Sequence, residues 1–76
     1  MPPYLRAKFE RHRLRLSQQT VGQRADLPQT LVSAIENGRV NPTDDELAAL
    51  AKALGVSDPT QLLQPVQLQD EEAARA

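Results

Sequence analysis

Apolar residues recur along the chain with a helical period, in short blocks separated by Ser, Pro, Asn and Gly. Leu5, Phe9 and His12 stand at i, i+4 and i+7, which predicts a first amphipathic helix from about Tyr4 to Arg13. Ser17 then offers a hydroxyl to the free amides of a second helix, Gln18 to Ala25, with Val21, Gly22 and Ala25 inward. Proline suits a first helical turn because the amide it lacks has no partner there, so Pro28 opens a third helix running to Glu36. Val32 and Ile35 face inward, and Asn37-Gly38 closes it with residues that tolerate left-handed backbone.

Thr43-Asp44-Asp45-Glu46 fits a capping box, in which the threonine hydroxyl and the glutamate carboxylate each satisfy an amide at the other's position. The helix that follows, Asp44 to Leu54, repeats Leu47, Leu50, Ala51 and Leu54 on one side and stops at Gly55. A fifth, short helix starts at Ser57-Asp58-Pro59, carries Leu62 and Leu63, and cannot pass Pro65 unbroken. Val66-Gln67-Leu68 alternates like a strand, and Asp70 to Ala76 is acidic and rich in alanine. These elements predict an all-α five-helix bundle over residues 1–64, followed by an acidic tail at 65–76 that is disordered, weakly helical or ordered by a partner.

The net charge of −1 conceals an asymmetry. Residues 1–39 hold seven basic and three acidic residues, a balance of +4, whereas residues 40–76 hold two basic and seven acidic, a balance of −5. A basic amino-terminal half agrees with a polyanionic partner. The chain has no cysteine, so neither disulfides nor thiolate metal sites are available, and folding rests on packing alone. His12, the single histidine, reads as a partly buried packing residue rather than a metal ligand, and no cofactor or metal is expected. The longest apolar run, Leu47 to Ala51, falls far short of a membrane helix, and the amino terminus has no signal-peptide pattern, so a cytoplasmic location is expected. No G-x-S-x-G or comparable nucleophile arrangement is present, which argues against an enzyme.

Two short helices joined by a tight turn inside a helical domain form a helix-turn-helix, whose second helix enters the major groove of DNA. The segments Leu16-Ser17-Gln18 to Ala25, Pro28 to Arg39, Asn41-Pro42 and Leu50 to Val56 resemble the Cro and phage-repressor (Xre) family, a likeness covering about residues 16 to 63. Gln29 and Thr30 open the recognition helix. A glutamine amide can make two hydrogen bonds to adenine in the major groove, so Gln29 is the first candidate for base reading. Ser33 and Ala34 follow on the same outer face, the latter suited to a thymine methyl. Gln18, at the open end of the second helix, is assigned to phosphate, and the resemblance implies backbone contacts for Asn37, Arg39 and Asn41. The basic residues from Arg6 to Arg15 are either phosphate contacts or a solvated face.

Three departures from the family pattern stand out: Asp26 where glycine is usual, Pro28 where a Ser or Thr cap is usual, and Gly22 where alanine is usual. Asp26 is then expected to cap the recognition helix with Gln29 reaching back, an arrangement that would make Gln29 less free. Discrimination needs roughly 4 to 10 kcal/mol and a good bidentate contact gives about 1 to 3, so a homodimer on a two-fold operator is expected. Leu62, Leu63 and Val66, left over once the bundle is packed, are its expected interface. The function so read is a transcriptional regulator, most simply a repressor, since no sensing domain accompanies the motif; phage switches and restriction-modification controllers are of this kind. The alternatives are an antitoxin that binds a toxin through the acidic tail and regulates its own operon, and a protein-interaction module that keeps only the fold.

Overall fold

In a computed structural model of the protein, residues 5–66 are described. They contain four α-helices and one 3₁₀ turn: α1 (Arg6–Arg13), α2 (Gln18–Ala25), α3 (Gln29–Glu36), α4 (Asp44–Leu54) and the turn Pro59–Leu63. The expected fifth helix is therefore a single 3₁₀ turn, nucleated by Pro59 and by the Asp58 carboxylate, which accepts from the Thr60 amide at 3.1 Å. Leu5 pairs with Pro65 in an isolated antiparallel bridge and the Arg6 amide donates to the Gln64 carbonyl at 2.9 Å, so the two ends of the domain are tied together. Helix α1 begins at Arg6 rather than Tyr4, which lies outside the described residues, as do the acidic tail from Asp70 and the Gln67-Leu68 part of the expected strand.

The local signals act as their chemistry requires. The Ser17 hydroxyl accepts from the Thr20 amide at 3.0 Å, and both halves of the Thr43–Glu46 capping box are made, at 3.1 and 2.9 Å. Gly55 ends α4 at φ 71°, and Gly38, one residue past the Asn37 cap, supplies the left-handed position after α3. The core joins Ala7, Val21, Val32, Ile35, Leu47, Leu50, Ala51, Leu54 and Leu62, with Leu16, Leu27 and Leu31 packed against it.

Two expectations about packing change. His12 is exposed, and α1 instead turns Ala7, Phe9 and the stems of Glu10 and Arg11 inward, because polar ends that find partners let charged side chains occupy an inner face. Leu62 has no exposed surface and Val66 retains only 6 % of its own, since the 3₁₀ turn packs against both α1 and α4. These two residues complete the protomer's core, and only Leu63, 37 % exposed, remains of the trio expected at a dimer contact.

Candidate nucleic-acid interface

Helices α2 and α3 meet across a turn whose shape depends on two residues. Asp26 adopts φ 57° and ψ 44°, the left-handed geometry that glycine usually supplies, and so redirects the chain at once. Gly22 lies against the returning backbone: the Leu27 amide donates to the Gly22 carbonyl at 2.8 Å, and a β-carbon on Gly22 would stand 2.6 Å from the Leu27 carbonyl oxygen. The missing side chain is what permits this approach.

Pro28 is the cap residue of α3, and no side chain caps that helix. The expected box between Asp26 and Gln29 is thus not formed: with Pro28 as the cap, Asp26 lies two residues outside the helix rather than at its end. Gln29 and Thr30 are exposed at the amino end of α3, where backbone amides remain open, and the Gln29 amide is available to a base edge. Ser33 and Ala34, half-buried, continue the same face one turn on.

Gln18, Gln29, Thr30, Ser33, Ala34 and Arg39 together line one shallow groove of about 440 Å³. Six of the eight residues assigned to DNA contact are brought to a single concave surface. The other two are not on it. Asn37 turns back on its own helix, donating through Nδ2 to the Ser33 carbonyl at 2.9 Å, and Asn41 is exposed in the loop before α4. Arg39 is exposed and forms no ion pair with another described residue.

Behind this groove is an ion pair that sequence reading did not anticipate. Arg11 donates from Nε and Nη2 to the two carboxylate oxygens of Glu36 at 2.7 and 3.0 Å, and from Nη1 to the Leu16 carbonyl at 2.9 Å. The Glu36 side chain is 2 % exposed, so the pair is desolvated, and its bidentate geometry is what makes such burial tolerable. Gln18 Nε2 donates to the same carboxylate at 3.2 Å. Its second amide hydrogen is left for an outside acceptor, and the side chain is held at the mouth of the groove rather than waving in solvent. Arg11 stands one turn beyond inward-facing Ala7, a local hint of its inward position, but nothing in the sequence alone marks Glu36, the last residue of α3, as its partner. Among the described residues no buried side-chain polar atom lacks a partner and no group of ligating residues could hold a metal.

Residues 6–64 match the family model of the helix-turn-helix domain. The chain belongs to the helix-turn-helix family. Within this family it is of the Cro and phage-repressor type that its motifs resemble, and it is a DNA-binding transcriptional regulator. The fold is similar to that of the restriction-modification controller protein C.AhdI from Aeromonas hydrophila, with a TM-score of 0.69, 30% sequence identity, and coverage of 75% of this chain and 85% of that one. No curated protein matches the chain. No helix among the described residues is long and apolar enough to cross a membrane. In helix-turn-helix terms, α2 is the helix that crosses the DNA backbone and α3 the recognition helix.

Proposed function

We propose that the protein is a cytoplasmic, sequence-specific repressor that occupies a two-fold symmetric operator as a homodimer, and that it acts by binding alone, without catalytic activity. The observation that carries this reading is the exposed amide of Gln29 at the uncapped end of α3, in one groove with Gln18, Thr30, Ser33, Ala34 and Arg39. Gln29 and Thr30 meet base edges, Ser33 and Ala34 extend the reading by one turn, and Gln18 and Arg39 hold the sugar-phosphate backbone on either side. Asn41, and Asn37 once released from Ser33, add to those backbone contacts. The likeness to a restriction-modification controller favours a regulatory role of that kind, in which occupancy of a promoter sets expression.

Dimerisation follows from magnitudes. One protomer offers one good bidentate reader, about 1 to 3 kcal/mol of discrimination, against roughly 4 to 10 kcal/mol that specific regulators achieve. Two copies related by a two-fold axis meet that need, with half-sites about 34 Å apart or a multiple of it. Leu63, exposed on the 3₁₀ turn, is the apolar residue around which the contact is built.

Selection of bound duplexes from a random pool tests the reading. The expected product is an inverted repeat with adenine at the position that Gln29 meets. A pool that shows no enrichment at low ionic strength, with protein that is folded and dimeric, refutes it.

A further inference from the structure

The structure sorts the basic residues around the first helix into engaged and unengaged. Arg6 and Arg13 lie 3.7 and 2.7 Å from the two carboxylate oxygens of Glu10, Arg11 is committed to Glu36, and Lys8 also has a partner. Arg15 differs from all of these: its side chain is exposed and makes no hydrogen bond or ion pair with another described residue. Its backbone is unusual as well. Helix α1 ends with the Arg15 amide donating to the His12 carbonyl at 3.0 Å and the Leu16 amide donating to the Arg11 carbonyl at 3.1 Å, the doubly bonded ending whose penultimate position must be left-handed. Arg15 fills that position at φ 58°, where glycine would fit without steric penalty.

We propose that Arg15 binds a phosphate at the DNA interface, a charge kept at a position that the fold alone would give to glycine. The inference rests on the DNA-binding reading above. Arg15 is two residues before Ser17, the cap of α2, so its Cα is at most about 7.6 Å from that cap. The open amides of Gln18 and Gln19, beside the Ser17–Thr20 cap bond, form the end of α2 that crosses the DNA backbone. An arginine side chain anchored this close reaches the phosphate seated on those amides or the next one along the strand. Arg39, exposed in the loop after α3, is the corresponding contact of the proposed function, so the two arginines stand in separate loops, one before α2 and one after α3.

The test compares wild type with Arg15→Gly, Arg15→Asn and Arg15→Lys by titrating a selected operator duplex and a random duplex over a range of salt concentrations, alongside thermal unfolding. Glycine and asparagine both accept the left-handed backbone, so their unfolding midpoints should be unchanged or raised. Their affinity should nevertheless fall severalfold, equally on both duplexes, with the slope of log K against log salt shrinking by about 0.9 for each phosphate that is no longer neutralised. Arg15→Lys should keep the slope. An unchanged slope in the glycine and asparagine variants overturns the assignment, as does an equal decrease of slope in the lysine variant, which would trace the effect to packing. Wild-type protein that binds neither duplex would instead defeat the DNA-binding reading itself.

Discussion

Arg11 and Glu36, 25 residues apart in sequence, meet through two charge-assisted hydrogen bonds of 2.7 and 3.0 Å that lock the end of α1 to the end of the recognition helix. Removing one partner leaves the other buried without a counter-charge, which typically costs about 3 to 5 kcal/mol. Glu36→Gln is therefore expected to destabilise by an amount in that range, a large share of a small domain's stability. Equilibrium urea unfolding reads it. Replacing both residues with apolar side chains of similar size, Arg11→Met with Glu36→Leu, should restore much of the stability. DNA binding in that double variant should stay weakened, because Gln18 no longer has the carboxylate that holds it.

Gln29→Ala is expected to lower affinity for the selected operator by about 1 to 3 kcal/mol while leaving affinity for random duplex nearly unchanged. The uncapped, exposed setting of Gln29 predicts no accompanying change in stability. Competition binding with the two duplexes measures both quantities. Equal weakening on both would mean that this amide holds phosphate.

What the sequence made legible and what it did not divide along a physical line. Ser17, the Thr43–Glu46 box and Gly55 act within four residues of themselves, and a local pattern sufficed to place α2 and α4. The groove residues Gln18, Gln29, Thr30, Ser33, Ala34 and Arg39 were also legible, since family resemblance fixes the order of the helix pair and a helical period fixes which positions share a face. The Arg11–Glu36 pair was not, because its partners come from separate helices and both read as solvated or terminal residues in the sequence alone. Leu62 and Val66 were misplaced for the same reason: how far the chain folds back over α1 after Gly55 is a tertiary fact.

Gly22→Ala sets two effects against each other. Alanine gains about 1 kcal/mol of helix propensity over glycine, but its β-carbon would fall 2.6 Å from the Leu27 carbonyl oxygen, a backbone atom that moves only with the turn. Overpacking of this kind costs roughly 1 to 3 kcal/mol, so the clash is expected to win and the variant to unfold at lower temperature. Because the displaced segment leads directly into Pro28 and Gln29, operator affinity should fall with it. A midpoint above wild type would mean that the turn relaxes freely and that Asp26 alone sets its course.

Leu62 and Leu63 are neighbours in opposite settings, one buried and one exposed, and parallel substitutions separate them. Leu62 is fully buried where the 3₁₀ turn meets the core, so Leu62→Ala removes packed volume and is expected to cost about 2 to 5 kcal/mol, visible in unfolding at any protein concentration. Leu63→Glu changes an exposed side chain and should leave the protomer's fold intact. Its effect should appear in sedimentation as a shift from dimer to monomer, and on the operator as weaker cooperative, two-site occupancy. A Leu63→Glu protein that still sediments as a dimer would move the contact off the 3₁₀ turn, since a carboxylate at the centre of an apolar interface is not tolerated unpaired.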